Sequence, residues 1–365
     1  MNTKLVYVLT CAPDHYFIEQ ALLSVYTARY YNPDATIVLI VDDLTDKLLV
    51  GSRAEILEYI SEKIVVELDQ QLSMELRSRF LKTSFRNLVL NGDLLFIDCD
   101  TLITCPLNEI DNCSFEIGAV LDSHLPIRKY NKSIYNHIES RAKVVGWDIS
   151  KEEYYFNSGV VFVKDNEKTK LFFRKWNSAM FETPNKTFIG DQPYFALINI
   201  EFGHLIQELD EVWNCVMYTQ PLFDKQAKIM HFSSYQNMSY VFGHAFLQKL
   251  KTEGLKTNDF AKFSIFHPHS TYIPFDNTIY QFRLKDFGLM MLEIRRTVIK
   301  LTKYIGTSYD YYIPAKGIYK VVRFFFTNRQ FTLGALVLML FKFYKTKLNR
   351  NYKFVSNICI NENEI

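Results

Sequence analysis

Asp93-Leu94-Leu95-Phe96-Ile97-Asp98-Cys99-Asp100-Thr101-Leu102-Ile103-Thr104 carries four apolar residues straight into two carboxylates one residue apart, with another apolar pair behind them. A short apolar run bounded in this way reads as a buried strand of an α/β sheet. The end of such a strand is where these sheets hold ligands. Asp98 and Asp100 stand at i and i+2, so an extended chain would point both to one face. Two carboxylates so placed repel each other unless a cation lies between them. A hard divalent ion, Mn2+ or Mg2+, shared with the phosphates of a substrate, meets that need. Alone, D-x-D is equally well a pair of turn residues after a strand, so the surrounding pattern must decide.

Upstream, Leu5–Leu9 has the composition of a strand and ends in Thr10-Cys11-Ala12-Pro13-Asp14. Phe17, Ala21, Leu22 and Val25 then recur at helical spacing, and Thr36–Val41 predicts a second strand, capped by Asp42-Asp43. Strand, helix and strand in so short a span form a βαβ unit and imply a parallel sheet. Lys47–Tyr59 predicts a helix and Lys63–Leu68 a third strand. Ser73–Leu90 predicts a helix carrying Arg77, Arg79, Lys82 and Arg86; the three arginines read as solvated face. The first hundred residues thus predict a doubly wound half-domain of nucleotide-binding type. Neither G-x-G-x-x-G nor a P-loop is present. A bound diphosphate would have no glycine cradle here, and a metal held by Asp98 and Asp100 would take over that role.

Downstream, Phe115–Asp122 predicts a strand ending on an acid. Tyr154–Val163 sets the knuckle Asn157-Ser158-Gly159 before a buried strand. A helix over Lys168–Phe181 leads to Gly190-Asp191-Gln192-Pro193-Tyr194 at the mouth of another helix, and Lys228–Phe232 is a short strand containing His231. Asn157 and Asp191 also suit plain helix caps, and a strand-end histidine is often structural. Trp147, Trp176 and Trp213 read as core. Tyr130 and Tyr135 fall in a polar stretch, 122–154, suited to an acceptor-side loop.

The chain has 365 residues, 48% of them hydrophobic and 15% aromatic, enough for a sizeable core. Its formal net charge of +2 hides an asymmetry: residues 281–350 hold 14 Lys and Arg against 3 Asp and Glu, whereas residues 1–280 hold 27 against 35. A neutral-to-acidic body, 1–250, and a basic C-terminal region, 251–365, imply different partners for the two parts. Six cysteines form no C-x-x-C pair and no His/Cys group has zinc spacing. With no leader-like apolar run at the N-terminus, a cytoplasmic body with reduced thiols is expected.

A half-Rossmann unit, a D-x-D after an apolar strand, an N-S-G knuckle, a D-Q pair and a late H-F, in this order over roughly residues 4–240, resemble GT-A glycosyltransferases, glycosyltransferase family 8 in particular. The resemblance implies an α/β, Rossmann-like mixed central sheet with helices on both faces. It implies Asp98, Asp100 and His231 as ligands of Mn2+ (or Mg2+) clamping the diphosphate of a UDP-sugar. Thr10, Cys11 and Asp43 would meet the nucleobase and ribose, and Lys82 the diphosphate. Asp122 would bind sugar hydroxyls, with Asn157, Ser158 and Gly159 under the sugar and Asp191 and Gln192 beneath the anomeric carbon. The implied activity is metal-dependent transfer of a hexose, with retention, to a glycan or lipid-linked acceptor in cell-surface polysaccharide synthesis. In one place the sequence departs from the family: in His231-Phe232-Ser233-Ser234-Tyr235-Gln236-Asn237, Ser234 and Asn237 replace a glycine and a phosphate-closing lysine.

Two other functions fit parts of the pattern. D-x-D-T after an apolar strand also opens haloacid dehalogenase-type phosphatases, although these begin near that motif and carry a later D-D. A non-catalytic carbohydrate-binding protein could keep the same fold. In the basic region, Leu289, Leu292, Val298, Ile299 and Leu301 alternate with Arg295, Arg296, Lys300 and Lys303. The apolar run Phe331–Phe341 is shorter than the roughly 20 residues that span a bilayer. Two readings stay open: helices lying on an anionic membrane surface, which would make the protein peripheral at the inner face of the cell membrane, or a helical subdomain packed on the body. No nucleic-acid motif accompanies the charge.

Overall fold

β1 (Lys4–Leu9) and β2 (Ile37–Asp42) are buried almost throughout, because helices cover both faces of their sheet. This is why their sequences are continuous apolar runs and not alternating ones. The computed structural model of the protein describes residues 1–130, 132–181, 190–216, 227–232 and 244–255. In chain order, α1 (Phe17–Tyr31) joins β1 to β2, and the short α2 (Asp43–Asp46) precedes β3 (Glu62–Val66). Then come α3 (Met74–Leu88), β4 (Leu94–Ile97), β5 (Thr101–Ile103), β6 (Ile117–Leu121) and α4 (Lys132–Val144). They are followed by β7 (Phe156–Val163), α5 (Glu167–Phe181), α6 (Gln192–Glu201), β8 (Ile206–Glu208), β9 (Cys215–Val216), β10 (Ile229–His231) and α7 (His244–Glu253).

Seven strands form one mixed sheet in the order β3-β2-β1-β4-β7-β6-β8. β1 to β4 are mutually parallel, and β7 runs antiparallel to both β4 and β6. The order reverses between β1 and β4, the switch point at which α/β sheets open a crevice beyond their carboxyl ends. One sheet face, with Val6, Val38, Phe96 and Val161, packs on Leu81, Phe85, Phe173, Trp176 and Phe195 of α3, α5 and α6. The opposite face carries Tyr7, whose hydroxyl accepts from Ser24 Oγ of α1 at 3.3 Å. The three tryptophans are buried, as their sequence context suggests.

Three expectations need correction. Lys47–Tyr59 is not a helix: after α2, Gly51 adopts φ +57° and the chain continues in 3-10 turns over Gly51–Glu58, since a left-handed residue ends an α-helix. Nor are the arginines a solvated face. Arg77 pairs with buried Asp42, and Arg86 is fully buried, donating to Val89 O, Gly92 O and Asp165. Helix α3 turns its basic side inward because strand-end acids and loop carbonyls wait there. The third correction concerns the D-x-D itself and is taken up below. The basic region from residue 256 onward, and the Ser234 and Asn237 departure, lie outside the described residues. Among the described residues the five cysteines are free, and no helix is long and apolar enough to cross a membrane.

Candidate active site

β4 stops at Ile97, so Asp98-Cys99-Asp100 form a turn into β5 and are not an extended strand. The two acids converge because the turn is pinned, not because i and i+2 alternate. Asp98 N–H donates to Gly159 O at 2.8 Å and Phe232 N–H to Asp100 O at 2.9 Å. Thr101 Oγ1 closes the turn onto Asp98 O at 2.7 Å and lies 2.7 Å from Ser24 Oγ of α1. A second sheet, β5-β10-β9, sets the register: Ile229 pairs with Ile103 and His231 with Thr101. That register carries the imidazole to the second acid. His231 Nε2 lies 3.3 Å from Asp100 Oδ1 and 4.0 Å from Asp98 Oδ2. One ligand atom from each of Asp98, Asp100 and His231 falls within 4.8 Å of the others. Two carboxylates and an imidazole are a donor set that could hold a divalent cation of the Mn2+ or Mg2+ kind.

Among the described residues, charge around this trio is unbalanced. Lys82 Nζ sits 3.0 Å from Asp98 and 3.3 Å from Asp191, and Arg79 sits 3.0 Å from Asp191. Two fixed cations thus face the carboxylates of Asp98, Asp100 and Asp191, which leaves an uncompensated negative charge when the imidazole is neutral. Burial, with the nearby Asp100 charge, pushes Asp98 up despite Lys82. Burial would also raise Asp100, but the imidazole beside it prevails and holds it down. His231 follows the same balance: burial disfavours its charge, yet Asp100 and Asp98 raise it overall. Asp191, although buried, is held far below the ordinary carboxylate range by Arg79, Lys82 and Ser158. It makes no side-chain cap on α6; Ser158 Oγ donates to it at 2.7 Å.

The Asn157-Ser158-Gly159 knuckle lies inside β7, against the acids. A Cβ on Gly159 would run into His231 Cε1 and come within 2.9 Å of Asp98 Oδ2, so only glycine allows this approach. Asp122, just after β6, accepts from Asn157 Nδ2 at 3.2 Å and from Gln192 Nε2 at 3.1 Å on one oxygen. Gln192 Oε1 in turn accepts from Ser158 N–H at 3.4 Å. Tyr130 donates to Asp122 O at 3.0 Å, which ties the start of the 122–154 stretch to this acid; α4 occupies much of the remainder.

Thr10, Cys11 and Asp43 follow β1 and β2, at the same carboxyl edge of the sheet as the D-x-D. Cys11 is buried: its N–H donates to Thr45 Oγ1 at 2.8 Å and its thiol faces Ala12 O at 3.1 Å. Asp42 is committed to Arg77 and to capping Thr45 N–H, whereas Asp43 meets Lys47 and Gln70 loosely, each at 3.5 Å. Arg79, read from the sequence as solvated face with Lys82 preferred for the diphosphate, joins the cluster through Asp191; its spacing of three residues from Lys82 places both on one helix face. Asn214, beside His231, carries no signal in the sequence.

A mixed sheet with acids at its switch point and a histidine delivered from a second sheet has the arrangement of the GT-A class. The family model "Glycosyl transferase family 8" matches residues 50–237, and the chain belongs to that family. It is therefore a glycosyltransferase, and the phosphatase and non-catalytic readings fall away. No curated protein sequence matches it. Among solved structures, mouse xyloside xylosyltransferase 1 in its apo form is 13% identical, with a TM-score of 0.42, covering 64% of this chain and 98% of that one. Galactosyltransferase LgtC with donor and acceptor sugar analogues is 14% identical (TM-score 0.43; 64% and 87% covered). The bifunctional glycosyltransferase WbbM, apo, is 15% identical (TM-score 0.48), and the alignment spans about half, 51%, of its length.

Proposed function

We propose that the protein transfers a hexose from a nucleoside diphosphate sugar, a UDP-sugar, to a glycan or lipid-linked acceptor in cell-surface polysaccharide synthesis, with retention at the anomeric carbon. The observation that carries this reading is the meeting of His231 with Asp98 and Asp100 beside Asp191 and Gln192. Asp98, Asp100 and His231 would hold Mn2+ or Mg2+, which when bound supplies Lewis-acid stabilisation to the departing diphosphate. Lys82, freed from two acids as the donor arrives, adds positive charge at the same phosphates. Thr10, Cys11 and Asp43 line the sheet edge where nucleobase and ribose would lie.

Asp122 accepts hydroxyls of the donor sugar, with Asn157, Ser158 and Gly159 forming the floor below. Asp191 is locked by two cations and a serine, and Gln192 offers an amide, which is a poor nucleophile. Neither suits a covalent intermediate, and this supports attack from the face that the leaving group vacates, with both residues orienting the donor. The basic sequence beyond residue 280 supports attachment to an anionic membrane surface, where a lipid-linked acceptor would reside.

Incubation with UDP- and GDP-sugars, with and without Mn2+, tests the assignment. Donor hydrolysis or transfer that needs the ion and is abolished in Asp100→Ala is the expected result; turnover of a UDP-sugar that ignores both ion and substitution would refute it. Vesicle sedimentation of full-length and tail-deleted protein tests the membrane reading: equal binding by the two would refute it.

A further inference from the structure

We infer that Asn214, which no sequence motif singles out, is a positioning residue that sets the tautomer of His231 and ties it to the sugar-binding acid. One hydrogen of this network is fixed by the backbone. Gly159 N–H donates to the Asn157 side chain at 2.8 Å, so the Asn157 atom that faces it is the oxygen. That same oxygen lies 2.9 Å from the Asn214 side chain, so Asn214 turns its NH2 towards Asn157. The oxygen of Asn214 then faces His231 Nδ1 at 2.8 Å, and an acceptor there requires Nδ1 to carry hydrogen. Nε2 is left with its lone pair directed at Asp98 and Asp100, the form in which an imidazole binds a cation.

The other atom of the same amide gives the same polarity: Asn157 Nδ2 points to Asp122 Oδ1 at 3.2 Å, a carboxylate oxygen that accepts. Asn157 is thus fixed from both sides, and the direction of Asn214 follows from the Asn157 oxygen that it faces.

Asn214 is held from its backbone side as well. Ser123 and His124 adopt φ of 56° and 53°, a conformation non-glycine residues rarely take. This turn brings His124 Nε2 to Asn214 O at 2.8 Å and Nδ1 to 3.2 Å from Glu211. The strained turn lies directly after Asp122, so the segment that places the sugar-binding acid also clamps the residue that orients the ligand histidine.

This inference rests on the metal-dependent reading above, and its test is chosen to separate the two. Long-range 1H–15N spectra of the full chain labelled at histidine, metal-free and taken up a pH series to the alkaline limit where the His231 signals stop shifting, read the tautomer of the neutral ring without any turnover. His231 is assigned by its loss in His231→Gln. Native protein is expected to show Nδ1–H, and Asn214→Leu to shift His231 towards Nε2–H. In parallel, Mn2+ alone is titrated. Asn214→Leu is expected to weaken it about 10–100-fold, with the melting temperature confirming that the variant folds.

Asn214→Asp keeps an acceptor for Nδ1–H but cannot donate to Asn157. It should retain near-native Mn2+ affinity yet raise the donor KM. Nε2–H in the native protein, or native Mn2+ affinity in Asn214→Leu, overturns the inference and leaves the transferase reading intact. Native protein that binds no Mn2+ refutes the metal-dependent reading, while the tautomer spectra still decide the role of Asn214.

Discussion

Lys82 and Arg86 stand one turn apart on α3, and the two cations occupy opposite kinds of site. Arg86 is closed in. It donates to Gly92 O at 2.7 Å, Val89 O at 3.1 Å and Asp165 at 3.2 Å, while Asp165 accepts Gly92 N–H at 2.7 Å. Lys82 is contested. Asp98 and Asp191 both reach it, Arg79 takes a share of Asp191, and Asp100 pairs, among the described residues, with His231 alone, a titratable group. A buried charge balanced where it sits is architecture. An imbalance held by rigid backbone bonds, at the mouth of a sheet, is prepared for a charged ligand.

The comparison breaks most visibly at its acids. Asp100→Ala should lower the transfer rate about 10³-fold or more, some 4 kcal/mol of lost stabilisation, while leaving the metal-free melting temperature unchanged or higher, because a surplus negative charge is removed. Initial rates and calorimetry on the same samples decide; a large fall in stability would place Asp100 with the structural pairs. Arg86→Met should do the reverse. Removing one partner of a buried pair strands Asp165 and two carbonyls, at a cost of about 3 kcal/mol, with kcat unchanged below the melting transition.

Two glycines sharpen the same contrast. Gly159→Ala drives a methyl into His231 and Asp98 and should weaken Mn2+ at least tenfold by titration. At Gly118 an added Cβ meets the Leu209 side chain at 2.9 Å, a flexible neighbour, so Gly118→Ala should cost about 1 kcal/mol of stability and leave Mn2+ binding alone. The smallest effect is acid sensitivity. Burial would raise Asp165, but Gly92 N–H and Arg86 outweigh it and lower its pKa. A depressed carboxylate contributes stability above its unfolded value, near 4, and that contribution disappears as pH falls through the folded value. Asp165→Asn should therefore lower stability near neutrality by about 1 kcal/mol and leave it unchanged at low pH, where the native carboxyl is already protonated, so that the acid limb of the stability curve is flattened.

Much of this was legible beforehand because apolar runs report burial on both sheet faces: Leu5–Leu9 and Leu94–Ile97 could be little else. The order of D-x-D, N-S-G, D-Q and H-F exposed the family for a similar reason, since those residues cluster at strand ends. What stayed hidden depends on three-dimensional pairing. The D-x-D reads equally as an extended strand end or as a turn, because nothing local announces that Gly159 and Phe232 will pin it as a turn. Arg77 and Arg86 look solvated because their acids lie 35 and 79 residues away. Asn214 becomes visible only when β9 and β10 pair and set it against His231.

The central claim is that an acid pair and a distant imidazole hold one cation at the crevice of the sheet. Its most direct measurement is titration of Mn2+ in the presence of UDP, followed by electron paramagnetic resonance, on native protein and on His231→Gln. One ion per chain, bound at least about tenfold more weakly once the imidazole is gone, is the expected result. Equal binding by the two proteins would contradict it.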